Sequence, residues 1–546
     1  GDVITLKFTF TAVEDDGISS APGFIVQTFG LQSKVTVDVN TVFDGGNVPW
    51  SASELKDVHY VQSPYYDSGD AAGSFGNELV FTHPKHPPKR LFFNGTGYVF
   101  QNIPFFYEAA PGGRPALEWT DVWATSGYPA TCTSYLGRLV LAGSDTNPTL
   151  GSLTGSLTER VWMTVVGKWN QVTESSETLT NSSSIEFSST YRSPIQWVHG
   201  QTNLLIGSES YEYVSNSDGI YGPGDLGVFL HSTHGSEKVQ PAPMGQYVLF
   251  AAEQGSRVRA MQYIAESEYW ISPDMTLYHP ELFAKGGGIK RMVRMRNPHQ
   301  MCVCVMGNGQ LAILHQDSYA NISGWSRINM GNQVKDIVAL PQKDGTDVLY
   351  LLVERNVEGV ERLYLEAIVD WTYRSENNWF YTNTTVSFIP SAATNVITGL
   401  DHLNNRIVQV VSNGSFLGSW QVANGQITLL DGTGQPINVE TALIGQAMGA
   451  RIRTMPLITS EPGSRKRYTS LYVRCRNSSR PRINGTRPAD RDPQRVMDES
   501  QDLDIIQDYE TEIFGWNRTQ VVEIIENLPV RNEVVGIYGT VKGTEL

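Results

Sequence analysis

Gln246–Ile313 reads QYVLFAAEQGSRVRAMQYIAESEYWISPDMTLYHPELFAKGGGIKRMVRMRNPHQMCVCVMGNGQLAI. An apolar run opens at Tyr247, stops at the polar Glu253–Gly255, and a second run follows from Arg257. Run, short turn and return run are the pattern of a β-hairpin. The figure recurs from Cys302, with Asn308–Gln310 as its turn. Gly and Asn suit the positive φ that tight hairpin turns need. A polar, aromatic-rich loop separates the two hairpins. The stretch predicts antiparallel β structure.

Outward from it, the same unit recurs along the chain. Apolar runs begin at or near Leu79, Leu139, Leu204, Tyr247, Cys302, Val348 and Arg406, with further clear turns at Glu358–Val360 and Asn413–Ser415. The spacing varies from 43 residues (Leu204 to Tyr247) to 65 (Leu139 to Leu204). Periods of about 40 to 50 residues point to β-propeller blades, here lengthened by insertions. The expected fold is all-β: a β-propeller core plus a C-terminal β domain. The boundaries read as an N-terminal β segment over 1–50, incomplete and part of a platform domain, a propeller with loop insertions over 51–440, and a C-terminal β domain with an Arg-rich arm over 441–546. The Ser/Thr-rich stretch Thr173–Ser189 reads as a mobile loop, and the Pro-containing Asn477–Gln501 as an extended arm.

At 546 residues the chain is long for one ordinary domain, and its many Gly, Tyr and Trp favour strands and turns over helices. No run of about 18 apolar residues is present, so no membrane span is expected. The net charge of −15 argues against a generic nucleic-acid binder. The charge is uneven. Arg451–Arg495 holds twelve Arg/Lys against three acids, and Asp498–Leu546 eleven acids against three bases, so the blocks are suited to pair between neighbouring subunits or to coat two surfaces of one assembly. Cys132, Cys302, Cys304 and Cys475 read as buried free thiols. Cys302 and Cys304 are expected on opposite faces of one strand, unable to pair.

Several short patterns appear in a fixed order. Asn77–Leu91 contains His83 and His86 followed by Pro87 and Pro88. Gly127–Tyr128–Pro129 precedes Arg138–Leu139, and Leu204–Glu212 reads LLIGSESYE. Leu249 and Phe250 lead through Gly255 to Arg257, with Tyr263 behind. Asp274–Leu277 reads DMTL, and Pro298 leads through Gly309 to Leu311 and Trp325. Glu526–Pro529 and Val535–Tyr538 close the set. In this order they resemble the tail nozzle proteins of short-tailed bacteriophages, the family also called tail tubular protein B or packaged-DNA stabilisation protein. The segment after DMTL, HPELF, and the Cys302/Cys304 strand depart from the family pattern. The family's N-terminal segment is missing, so the chain is expected to be truncated at its start.

The resemblance implies a structural virion protein, not an enzyme. It implies a homohexameric ring that continues and gates the DNA channel for genome retention and ejection. The implied partners are copies of itself, a tail adaptor ring protein, tail fibres or spikes, and the genomic double-stranded DNA passing through. The implied location is the virion tail, after synthesis in the bacterial host cytoplasm. The other reading kept open is a propeller-type glycan-binding or glycan-degrading protein acting on the host envelope.

Two basic stretches are candidate sites. In Lys285–Arg296, Lys290, Arg291 and Arg294 suit a phosphate or subunit contact, against a solvated face with Met292 and Met295 turned inward. Arg474, Arg476, Arg480, Arg482 and Arg487 suit carboxylates or phosphates. They either face DNA or, as preferred, bind acids such as Asp502, Asp504 and Asp508 of a neighbouring subunit. Gly286–Gly288 lacks the P-loop pattern and reads as a turn or hinge. His83 and His86 read as an ordinary polar turn, because Pro84, Pro87 and Pro88 exclude a helix. No catalytic, metal or cofactor set is assigned.

Overall fold

The computed structural model describes residues 49–543, apart from 52–53, 64–77, 94–97, 108–122, 125–126, 145–156, 173–182, 187–192, 216–226, 267–268, 298–299, 318–321, 342–344, 369–381, 414, 457–463, 477–480, 489–505, 512–514 and 530–532. It also describes the short strands Lys7–Thr9, Ile25–Val26 and Thr36–Asp38. The rest of 1–48 lies outside the described residues.

Six antiparallel meanders follow one another. The first comprises His59–Gln62, Leu79–His83, His86–Phe93 and Tyr98–Asn102. The second comprises Thr131–Tyr135, Arg138–Ala142, Arg160–Met163 and Ser183–Glu186. The third is Ile195–Gly200, Leu204–Ser208, Glu212–Ser215 and Val228–Ser232. The fourth is Ala242–Met244, Tyr247–Ala252, Arg257–Ile264 and Tyr269–Ile271. The fifth is Ile289–Met295, Met301–Met306, Leu311–Asp317 and Ile322–Ile328. The sixth has three strands, Gln333–Pro341, Asp347–Val357 and Val360–Ile368. This succession of meanders is the β-propeller core.

Six of the seven apolar runs are the second strands of these sheets. The reason is burial on both faces, which turns alternation into a continuous apolar run. In Tyr247–Ala252, Val248, Phe250 and Ala252 pack with Trp197, Leu205 and Val214 of the third sheet. Leu249 and Ala251 pack the other way, with Ile289, Met292, Cys302 and Cys304 of the fifth. The second and third sheets share Val140, Ala142, Val161, Ile195, Leu204 and Ile206 in the same manner. The turn after a second strand also receives the chain entering the next sheet. Gly255 O accepts from Ile289 N at 3.0 Å, and Gly309 O from Val334 N at 3.0 Å. Both glycines have φ of +77°.

By contacts the chain divides into two compact units. One holds 1–15, 30–354 and 363–368, the other 16–29, 355–362 and 369–546. In the second unit the seventh run, Ile407–Ser412, pairs with both Ser415–Gln421 and Ala442–Ala447 in a five-stranded sheet that is no simple meander. The C-terminal part holds two three-stranded sheets. One joins Ala450–Arg453, Glu523–Glu526 and Arg482–Ile483; the other joins Ile506–Thr511, Lys466–Arg476 and Glu533–Gly543. They share a core of Leu471, Val473, Cys475, Ile483, Tyr509, Val522 and Ile524.

Three expectations are corrected. Ser183–Glu186, inside the stretch read as a loop, is the fourth strand of the second sheet, paired with Arg160–Met163. Within the stretch read as an arm, Arg482–Ile483 is a strand paired with Ile524 and Ile525, and Ile483 is fully buried. Cys302 and Cys304 share one face and one core, with sulfurs 4.0 Å apart, because residues two apart on a strand point the same way. All four cysteines are buried, and none forms a disulfide. Gly286–Gly288 is a turn: Gly286 ends the short helix Leu282–Gly286, and Gly287 and Gly288 have φ of +81° and +76°. His83 and His86 flank a two-residue hairpin turn, and His83 Nδ1 accepts from Lys85 N at 3.1 Å.

Candidate functional site

The first strands of the sheets meet at the propeller centre. His59 Nδ1 and Thr131 Oγ1, from the first strands of sheets one and two, are 2.9 Å apart. Thr133 Oγ1 accepts from Gly200 N of sheet three at 3.1 Å. Arg291 of sheet five grips Asp336 of sheet six with two bonds, Nε to Oδ1 at 2.8 Å and Nη2 to Oδ2 at 3.2 Å. Across the centre, Gln240 Nε2, just before the first strand of sheet four, donates to Tyr60 O of sheet one at 2.6 Å. Lys238 Nζ lies 3.7 Å from Asp57 in the same crossing. These bridges leave a cavity of about 190 Å³, lined by Tyr60, Gln240, Pro241, Arg291, Arg294 and Ala339 among others.

Burial dominates the titration of the groups at the centre. Burial pushes the His59 imidazole down to about 3, with the nearby cations Arg291 and Lys238 adding to it. Burial also lowers the Arg294 guanidinium below its ordinary value, with Arg296 contributing. The Tyr60 phenol is raised by burial. Of the residues picked out in Lys285–Arg296, Arg291 and Arg294 line the cavity, and Lys290 is exposed on the same strand. Met292 and Met295 turn inward, as the solvated-face reading expects.

The second basic stretch lies elsewhere, in the C-terminal sheets. Arg474 clamps Asp508 of its own chain, Nε to Oδ1 at 2.8 Å and Nη2 to Oδ2 at 2.9 Å, and stacks 5.4 Å from the centre of the Tyr538 ring. Asp508 is therefore not held in reserve for a neighbour: the two residues face each other on adjacent strands. The Arg474 bonds hold the Asp508 carboxyl down to about 2. Arg487 donates to both oxygens of the buried Glu526, at 3.0 and 3.3 Å. Arg476 and Arg482 are exposed on strands of the two sheets. Arg480, Asp502 and Asp504 lie outside the described residues.

Tyr60, Gln240 and Glu212 were not singled out by sequence. The Glu212 carboxylate is fully buried and accepts from Ser232 Oγ at 2.7 Å, His234 N at 3.2 Å and Ser236 Oγ at 3.0 Å. It braces the link from sheet three to sheet four, and its only sequence signal is its place at the end of LLIGSESYE. Nothing near Tyr60 or Gln240 in sequence marks them, because they meet only across the centre.

The ordered patterns also meet. Tyr128 N donates to Pro84 O at 2.9 Å, joining Gly-Tyr-Pro to the His-Pro segment. Arg138 Nη1 donates to Thr164 O at 3.1 Å. Arg257 Nη1 reaches Asp274 at 3.3 Å, Asp274 accepts from Thr276 N at 2.7 Å, and Met275 O accepts from the Trp325 indole at 2.8 Å.

No family model and no curated protein matches the chain. Among solved structures it is similar to a protein from Lactobacillus plantarum at 10% identity, covering 70% of this chain and 95% of that one, with a TM-score of 0.30. It is similar to the β-propeller domain of Cps50 (Swd1) from Myceliophteria thermophila at 8% identity, covering 57% and 90%, with a TM-score of 0.31. A putative 6-phosphogluconolactonase from Bacteroides fragilis matches at 10%, covering 57% and 86%, with a TM-score of 0.30. Likeness this low carries no argument about function, and the propeller rests on the sheets themselves. No helix among the described residues is long and apolar enough to cross a membrane.

Proposed function

We propose that this chain is a structural component of a short phage tail: a nozzle subunit that assembles with copies of itself into a ring continuing and gating the DNA channel. The observation that carries the reading is the interlocking of the ordered patterns. Residues chosen only for their resemblance bond to one another across 17 to 50 positions, as in Arg257–Asp274 and Trp325–Met275. Arg257–Asp274 ties the segment after sheet four back onto that sheet, and Trp325–Met275 fastens sheet five to it, a framework task.

The geometry adds a constraint. The propeller centre is bridged by Gln240 and Tyr60, and the remaining cavity is about 190 Å³. B-DNA has a major groove alone about 12 Å wide, so a duplex has no path through one propeller. On this reading the channel runs between subunits, and ring formation is obligatory for function. The adaptor ring, tail fibres or spikes and genomic DNA belong to the same proposal, as do the virion location and the absence of catalysis.

The test is particle mass and negative-stain imaging of the chain, alone and mixed with a tail adaptor ring, alongside complementation of a phage lacking its own copy. Six-fold rings with a central hole support the reading. A full-length protein that never enters tails in the complemented phage overturns it.

A further inference from the structure

We propose that the cavity at the propeller centre is a binding site for a small oxyanion of the size of inorganic phosphate, held by Arg294 and Arg291. The inference is independent of any role in a tail.

The first observation is the donor set. Arg294 Nε is shielded from solvent and has no hydrogen-bond partner among the described residues. That N–H is shielded from the cavity, so a ligand there would meet the outer Nη groups of Arg294, which lines the cavity and donates no side-chain hydrogen bond among the described residues. Arg291 lines the same cavity and gives Asp336 two of the five N–H groups a guanidinium carries. Its remaining donors are available to a ligand.

The second is the charge balance. Arg291 is matched by Asp336, Lys238 by Asp57 and Arg296 by Asp347. Arg294 forms no ion pair among the described residues. The site therefore holds one guanidinium without an ion-pair partner, that of Arg294, which Asp347 attracts and Arg296 repels. Asp336 opposes an anion, and this limits the ligand to one that the Arg294 fork can face directly.

The third is size. Water takes roughly 30 Å³ per molecule in the liquid, so a cavity of about 190 Å³ admits a tetrahedral oxyanion with part of its hydration shell. Planar forks that present several N–H groups suit oxyanions with several acceptor oxygens. Pro241 and Ala339 supply apolar wall beside the polar groups.

The experiment is isothermal titration of the whole chain with inorganic phosphate, at constant ionic strength in chloride and neutral pH. One saturable site per chain is expected. Arg294→Met should weaken it about tenfold or more, and Arg327→Met, an exposed change on the outermost strand of the same sheet, should leave it within about twofold. If Arg294→Met does not fold by circular dichroism, Arg294→Lys carries the test, since it keeps the charge and loses the fork, and a clear loss of affinity is expected. No saturable heat, phosphate binding that chloride displaces equally well, or unchanged affinity in the folded Arg294 variant each overturns the proposal.

Discussion

Glu78 shows how burial sets the chemistry of one residue. It lies just before the second strand of the first sheet, with its side chain 1% exposed. Burial pushes its carboxyl up to about 7, against a partial offset from Arg90 Nη1 at 3.5 Å. A raised folded value means that the protonated form is the one favoured by folding. The contribution is present in full below the ordinary 4.5 and is lost as pH rises through about 7. Its size is on the order of 3 kcal/mol. Glu78→Gln keeps the shape and removes the titration, so the variant should gain stability over the parent as pH rises from 4.5 to 8 and match it below. Urea midpoints across that range check this, and a pH-independent difference would sink it. Arg474 and Asp508 behave differently because both are exposed. Arg474→Asp should lower the thermal midpoint slightly and Asp508→Arg in the same chain should restore it, both effects fading with salt. If the swap restored particle mass but not the midpoint, the pair would be working between subunits after all.

The element scale is governed by turns that also serve as docking points. Gly309 and Gly359 both follow an apolar second strand, and both have positive φ, +77° and +85°. Their surroundings differ. A Cβ on Gly309 meets Gln333 Cα at 2.7 Å, whereas nothing lies within 4 Å of one on Gly359. Gly359→Ala should cost about 1 kcal/mol from backbone strain alone. Gly309→Ala should cost about 2–4 kcal/mol, because the backbone of the next sheet must move. Denaturant midpoints of the two variants test the difference, and equal losses would refute the docking role. The sequence shows both glycines as turn residues in NGQ and EGV. It does not show that only one of them touches the next sheet.

At the scale of the whole molecule, the bridged centre separates two functions that composition merges. The chain carries a net charge of −15, yet its central cavity is lined by two arginines, Arg291 and Arg294. The anion titration and the ring assembly test these two regions independently. The apolar second strands, the hairpin turns and the all-β class were legible in the sequence, because burial on both faces and positive φ each demand particular residue types locally. The strand inside Thr173–Ser189 was not, since Ser183–Glu186 (SSIE) pairs in the ladder through its backbone and offers a single apolar residue, Ile185, too little to form a run. The cavity was not legible either. Tyr60, Gln240 and Arg294 are distant in sequence and lie together only because the first strands of successive sheets converge. Local physical chemistry determined the strands and turns. Tertiary closure alone decided which charges face one another, since Coulomb forces act through space and not along the chain.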